Sequence, residues 1–266
     1  MTNEEQKTMV YIVGTGPGDP GLLTLKADSL IRSADIVLYD CRAVEPLLHL
    51  ASAGAKVVAV ERNLYEDGKG DREHTPMVEA IREHYGEGKK VVRLKAGDPS
   101  LFGGEVDECD VLGRIGIPYS IVPGVSSGAA AACAYALPIS RKFESDAVVN
   151  IIANEITDDF ALFRDAAGLL RHGATMVLYM ATDNLPGLLG IFREEGIPDE
   201  TPVVAVSKAG RIDEAFLETT LGDMGADGFS LELKDPVVYT VGRYVRVRNL
   251  PEPEQSRSAL FLKCPQ

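Results

Sequence analysis

The segment Met9-Val10-Tyr11-Ile12-Val13 is an apolar, β-prone run. It enters Gly14-Thr15-Gly16-Pro17-Gly18-Asp19-Pro20, and the helix-compatible stretch Leu22–Arg32 follows. A strand, a glycine-rich turn and a helix in that order form the nucleotide-binding unit of a parallel α/β sheet. A pyrophosphate loop works through free backbone N–H groups and positive potential. Here Pro17 and Pro20 each delete an N–H, and Asp19 adds negative charge. The turn therefore suits a nucleoside without phosphates better than NAD or ATP.

A second turn of the same kind follows the strand Lys90-Val91-Val92-Arg93-Leu94, as Lys95-Ala96-Gly97-Asp98-Pro99. Two Gly-Asp-Pro turns at strand ends suggest two adjacent strand C-termini, which is where an open parallel sheet forms its ligand crevice. The same residues also suit ordinary βα turns, because Gly, Asp and Pro are common turn formers.

The 266 residues are enough for two ordinary domains or one large one. A formal net charge of −13 argues against a nucleic-acid binder and against binding to an anionic membrane. It leaves an anionic small substrate open, since local cations can override the global field. Cys41, Cys109, Cys133 and Cys264 are dispersed without a CxxC pair, which fits reduced thiols in a cytoplasmic protein. The four histidines make no metal-ligand spacing, so no metal site is expected. The polar, acidic N-terminus is not a signal peptide, and no apolar run reaches the length of a membrane span.

Residues 9–123 alternate strand patterns (9–14, 35–39, 56–60, 90–94, 119–122) with helical ones (22–33, 43–52, 75–87, 105–115), which predicts a mostly parallel sheet. Asn63–Glu73 reads as a polar loop near the end of the third strand. A boundary falls at Val122-Pro123-Gly124, after which Ser126 or Ser127 caps a helix of small residues running through Gly128–Ala134. Beyond it, strands are predicted at 147–153, 175–180, 202–207, 214–221 and 237–244, and helices at 160–171, 184–195 and 221–225. Strand more often follows strand here, so the second sheet is expected to be mixed. The expected organisation is an α/β fold of two α/β domains, 1–122 and 123–248, with a tail at 249–266.

Six ordered blocks carry a family resemblance: VYIVGTGPGDPGLLTLKA (10–27), ADIVLYD (34–40), VVRLKAGDPSLFG (91–103), GIPYSIVPGVSS (116–127), ATMVLYM (174–180) and TPVVAVSKAG (201–210). Together they resemble the tetrapyrrole methylase family, over about residues 9–247. The resemblance implies methylation of a tetrapyrrole by S-adenosylmethionine, with S-adenosylhomocysteine as product and the folded-up cofactor in the cleft between the two domains. It further implies a homodimer. By motif alignment the cofactor contacts are Pro17, Ala96, Gly97, Asp98, Leu101, Ser126, Ser127, Met180 and Ala209. The same residue types suit core packing at Leu101 and Met180.

The family's acidic residue at the end of the second strand, a proposed proton acceptor, falls on Asp40. Carbon methylation of a porphyrinogen leaves a cationic ring that must lose a proton, and a nearby carboxylate both stabilises that charge and takes the proton. Asp40 is also placed to cap the following helix. The family's third-strand lysine, a proposed proton donor, is replaced by Arg62, which holds its proton too tightly to donate it and suits a substrate carboxylate instead. The family's Phe-Gly-Arg-Gly-Gly-Glu-Glu run becomes Phe102-Gly103-Gly104-Glu105-Val106-Asp107-Glu108, its Thr-His-Arg becomes Ser140-Arg141-Lys142, and its Thr-Gly-His becomes Ala153-Asn154-Glu155. Arg42, Arg141 and Lys142 are the candidate contacts for a polycarboxylate such as uroporphyrinogen-III. The altered positions keep a later precorrin, another tetrapyrrole, or a cofactor-binding member with lost or changed activity open as alternatives.

Overall fold

A computed structural model describes residues 9–61, 74–101, 105–153, 160–226 and 232–248. The chain divides into two compact units, Met1–Ser126 and Ser127–Gln266. Arg62, the loop at 63–73, Asn154 and the tail at 249–266 lie outside the described residues.

In the first unit, β1 (Val10–Gly14), β2 (Ile36–Tyr39), β3 (Lys56–Ala59), β4 (Val91–Lys95) and β5 (Tyr119–Val122) form one sheet in the order β3-β2-β4-β1-β5. Every pairing in it is parallel. The helices are α1 (Leu25–Arg32), α2 (Pro76–Gly86) and α3 (Glu105–Arg114). From β1 the chain crosses over β4 to β2, whereas from β4 it crosses over β1 to β5. Right-handed crossovers in opposite directions send their helices to opposite faces. Accordingly Ala27, Leu30 and Ile31 of α1 pack with Val13, Val37, Val92 and Leu94. Met77 and Ile81 of α2 and Cys109 and Leu112 of α3 pack on the other face, with Val10, Ile12, Ile36, Leu38 and Val91. The reversal falls between β1 and β4, the two strands that carry the Gly-Asp-Pro turns.

Two of the expected helices differ locally. The helix expected over 22–33 is split: Pro20–Leu22 is a 3₁₀ turn, and α1 starts only after Thr24, whose hydroxyl accepts from the Ala27 N–H at 3.1 Å. The segment expected as an α-helix over 43–52 is a 3₁₀ helix, Arg42–Leu50, with Pro46 inside it. A proline there removes one i→i−4 donor and its ring crowds the preceding turn, so the regular α ladder does not form.

The second unit begins with α4 (Ser127–Ala134) and contains β6 (Val148–Ile152), α5 (Ala161–Arg171), β7 (Thr175–Tyr179), α6 (Leu185–Glu194), β8 (Pro202–Ser207), β9 (Ala215–Thr220), α7 (Leu221–Met224) and β10 (Val237–Val241). Its strand order is β6-β7-β10-β8-β9. Only β6 and β7 pair in parallel, and the other three pairings are antiparallel, so the sheet is mixed as expected. Phe163, Leu170, Leu188 and Phe192 of α5 and α6 cover one face with Met176, Leu178 and Tyr239. On the other face Ala131 and Ala132 of α4 pack with Val204, Val206 and Ala209. A Cβ at Gly128 would lie 2.4 Å from the Tyr179 hydroxyl, so glycine is needed where α4 meets the sheet.

Candidate active site

The C-terminal ends of β1, β4 and β5 meet in a knot of glycine backbone. Gly16 N–H donates to Gly97 O at 3.2 Å and Gly97 N–H to Gly16 O at 2.7 Å, joining the two Gly-Asp-Pro turns directly. Thr15 ties the same turns together, donating both its N–H and its hydroxyl to Lys95 O at 2.8 Å. A Cβ on Gly14 would lie 2.5 Å from Gly124 N, and one on Gly124 would lie 2.1 Å from Gly97 O. Gly97 itself has φ +73°, and a side chain there would point into open space. Three loops thus come into backbone contact because none carries a side chain at the crossing, and Gly97 leaves room beyond it.

Pro17 is buried, Ala96 is exposed, and Gly97, Asp98 and Leu101 are half-buried along this edge. Asp98 Oδ1 accepts from the Ser100 N–H at 2.8 Å and the Ser100 hydroxyl at 2.7 Å, which folds the turn after β4. Asp19 Oδ1 likewise accepts from the Gly21 N–H at 2.7 Å. Both Gly-Asp-Pro carboxylates thus have a structural duty, each within its own turn. The half-buried Ser126 closes the first unit.

Beside these loops lies an ionic cluster in which sequence reasoning singled out Asp40 but not its partners Arg93 and Glu108. By the period-2 alternation of strands, Leu38 and Asp40 share a face with Arg93 and Lys95, and α3 covers that face. Arg93 is 0% exposed in the central strand of the sheet. Its Nη1 and Nη2 donate to Asp40 Oδ1 and Oδ2 at 2.9 and 2.7 Å, a bidentate pair. Its Nε and Nη2 donate to Glu108 Oε2 and Oε1 at 3.4 and 3.2 Å, and Nη1 also donates to Leu94 O at 2.7 Å. Lys95 Nζ lies 3.8 Å from Asp40 Oδ2 and 4.0 Å from Glu108 Oε1. Burial works against the Arg93 charge, but Glu108 and Asp40 together outweigh it and push the guanidinium pKa up. The sequence signal was a charged residue between the apolar residues of the strand VVRLK, a residue type almost never buried without a partner.

Burial, then the charges of Glu108 and Asp110, push the neighbouring Cys109 thiol up to about 11. It stays protonated at neutral pH, so it is not poised as a nucleophile.

The second unit places Met180 just past β7, 44% exposed with φ +51°, and the buried Ala209 beyond the end of β8. Ser127 opens α4. Arg141 and Lys142 stand on a separate exposed turn: Arg141 pairs with Glu144 at 3.0 Å and lies over the Tyr244 ring at 5.1 Å, and Lys142 lies over the exposed Phe143 ring at 4.8 Å. Arg42, in the first unit, is exposed just beyond Asp40. Among the described residues Glu83, His84 and Glu87 bring three potential ligand atoms together, but His84 and Glu87 are simply paired across one helical turn at 3.2 Å.

The family profile described as Tetrapyrrole (Corrin/Porphyrin) Methylases matches residues 9–225. The chain belongs to this family. It is 33% identical over 248 residues to the S-adenosyl-L-methionine-dependent uroporphyrinogen III methyltransferase, chloroplastic, of Arabidopsis thaliana, covering 91% of this chain and 64% of that protein. It is 32% identical to the siroheme synthase of Azotobacter vinelandii, over 90% of this chain and 51% of that protein. The chain thus spans about half to two thirds of the length of these curated relatives. A uroporphyrinogen-III C-methyltransferase of Sinorhizobium sp is 31% identical and covered over 86% of its length. Among solved structures, the uroporphyrin-III C-methyltransferase of Thermus thermophilus complexed with S-adenyl homocysteine superposes with a TM-score of 0.71 at 28% identity, covering 89% of this chain and 98% of that one. A cobalt precorrin-4 methyltransferase superposes with a TM-score of 0.76 at 29% identity, covering 91% and 98%. The two-unit α/β organisation and the mixed second sheet are those of a tetrapyrrole methylase.

Proposed function

We propose that this chain is an S-adenosylmethionine-dependent C-methyltransferase that converts uroporphyrinogen-III to precorrin-2 by two successive methylations. The observation that carries the reading is the juxtaposition, at one sheet edge, of a side-chain-free glycine knot without phosphate-binding chemistry and a carboxylate, Asp40, held in a fixed orientation. The named relatives support both the cofactor and the substrate class.

The residues present fit the cofactor. Gly14 and Gly124 leave no Cβ in a crossing that one would fill, Gly97 opens onto free space, and Pro17 removes an N–H where a phosphate would need one. The contacts we assign are Pro17, Ala96, Gly97, Asp98, Leu101 and Ser126, with Ser127, Met180 and Ala209 of the second unit completing the set. When bound, S-adenosylmethionine supplies an electrophilic methyl group. The chain's own contribution is to orient the pyrrole carbon, exclude water and remove a proton. Asp40 takes that proton from the methylated ring carbon on a carboxylate oxygen, and its negative charge stabilises the ring cation beforehand. Arg42, Arg62, Arg141 and Lys142 are assigned to substrate carboxylates. We further propose a homodimer, by family, and a cytoplasmic location, on the dispersed cysteines; among the described residues no helix is long and apolar enough to cross a membrane.

Incubation with S-adenosylmethionine and enzymatically made uroporphyrinogen-III should yield two successive methyl additions by mass spectrometry, with the fluorescence of a dimethylated product. Binding of S-adenosylhomocysteine without turnover would remove uroporphyrinogen-III as substrate. A later precorrin is the second reading. It is favoured by the altered positions at 62, 104, 141 and 154 and by the likeness to the precorrin-4 enzyme.

A further inference from the structure

The Asp40–Arg93–Glu108–Lys95 cluster is an expensive way to build the middle of a sheet. An arginine in a dry interior costs several kcal/mol in desolvation, of order what apolar side chains of equal volume would avoid. An aliphatic residue at position 93 would face the same side of the sheet as the apolar cluster that contains Ile36, Leu38 and Leu112. The arrangement must therefore be judged by what it does to the groups it touches.

Arg93 has five N–H donors in a rigid planar fork, and all five are engaged: two on Asp40, two on Glu108 and one on Leu94 O. With no exposed surface and no donor left, it cannot reach a substrate. It can only transmit geometry. The fork fixes both oxygens of Asp40, and Glu108, from α3, grips the adjacent Nε–Nη2 edge of the same fork. The backbone carbonyl of Leu94 locks the guanidinium plane to β4. Asp40, Arg93 and Glu108 come from β2's end, β4 and α3, so the carboxylate is referenced to three elements of the unit at once.

We infer that Arg93, braced by Glu108, is a positioning residue that holds the Asp40 carboxylate in the orientation the reaction uses, and that Glu108 influences turnover only through Asp40. The inference rests on the proton-accepting role assigned to Asp40 above. It also explains why Glu108 faces the cluster rather than solvent. Among the described residues Glu108 balances the second cation, Lys95, so that two carboxylates meet two cations and Asp40 is not drawn towards Lys95 alone.

A double-mutant cycle on kcat tests this with the tetrapyrrole that the wild-type chain methylates, using the full chain and saturating S-adenosylmethionine. The variants are D40N, E108Q and D40N/E108Q, each checked for S-adenosylhomocysteine affinity by calorimetry. Glu108→Gln presents an amide N–H₂ group to a fork that is itself all donors, so the fork must tilt. Kcat should fall about tenfold to a hundredfold with cofactor affinity unchanged, the scale expected of a misplacement near 1 Å. In the Asp40→Asn background the same change should cost nothing further, because there is no longer a carboxylate to orient. R93K, with three donors on a flexible stem, should not rescue the geometry and should fall at least as far as E108Q. Multiplicative losses in the double variant, or wild-type kcat in E108Q, would overturn the inference while leaving the role of Asp40 intact. Wild-type kcat in D40N would overturn the Asp40 role itself, a distinguishable result. If E108Q loses cofactor binding, E108D carries the same cycle.

Discussion

Gly124→Ala probes the glycine knot with a single methyl group. The added Cβ would lie 2.1 Å from Gly97 O, 2.7 Å from Gly14 C and 2.9 Å from Gly14 Cα. All three are backbone atoms, so no rotamer change relieves the contact. Ordinary contact begins near 3.4 Å, so the Gly97 carbonyl must retreat by roughly 1.3 Å. That movement breaks the Gly16 N–H to Gly97 O bond and parts the two turns. Overpacking of this kind costs about 1–3 kcal/mol. For a chain of this size each kcal/mol lowers Tm by roughly 2–4 °C, so a fall of several degrees is expected. If the knot shapes the cofactor site, the same displacement should weaken S-adenosylhomocysteine at least tenfold, about 1.4 kcal/mol of binding. Calorimetric titration and a thermal melt of G124A beside wild type are sufficient. Gly54→Ala, where a Cβ meets nothing within 4 Å, is the control and should leave affinity unchanged and Tm no lower than wild type. A G124A protein with wild-type Tm and affinity would refute the close approach of the loops. One that is destabilised but binds normally would show that the knot holds the fold and does not shape a cofactor site.

Other substitutions test separate parts of the account. Asp40→Asn should lower kcat about 10²- to 10⁴-fold, the range of a lost general base, while leaving S-adenosylhomocysteine affinity near wild type; equal loss of both would make Asp40 structural. Gly190→Ala lies within α6 with nothing within 4 Å of the new Cβ, so it should stabilise by about 0.5–1 kcal/mol through lower backbone entropy in the unfolded chain, read as a higher urea midpoint. Cys109 should resist thiol reagents in the native protein at pH 8, so Cys109→Ser should not change the number of thiols labelled, whereas the exposed Cys133 should react. Because the folded Cys109 pKa is raised from an ordinary value of 9.0 to about 11, its contribution to stability is fully present below pH 9 and is lost as pH rises towards 11. A Cys109→Ser variant should therefore show a flatter stability profile across that alkaline window.

Much of the architecture was legible because strand and helix periodicity is local. The apolar runs at 9–14, 90–94 and 202–207 mark strands through the side chains each residue carries, and the βαβα order forces parallel pairing in the first unit. Turn chemistry was local too: prolines at 17 and 20 argue against phosphate without reference to anything distant. The failures came where one residue altered its neighbours' hydrogen bonding, as Pro46 does in the 3₁₀ segment and Thr24 does as a cap.

The active-site cluster was half visible. Asp40 stood out as the acidic end of a strand, but Arg93 carried only the weak mark of a charge among valines and a leucine. Its meaning depends on partners 53 and 15 residues away along the chain, joined only once β2 lies beside β4 and α3 covers them. The same holds for the contact among Gly14, Gly97 and Gly124: the first two stood out as turn glycines, but only strand order brings the three loops within a methyl group of one another. Propensity, turn type and the absence of phosphate chemistry belong to short stretches of chain, so reading the residues in order was enough to establish them. Ion pairing and backbone contact depend on distance in space, which was determined only when the sheet was assembled.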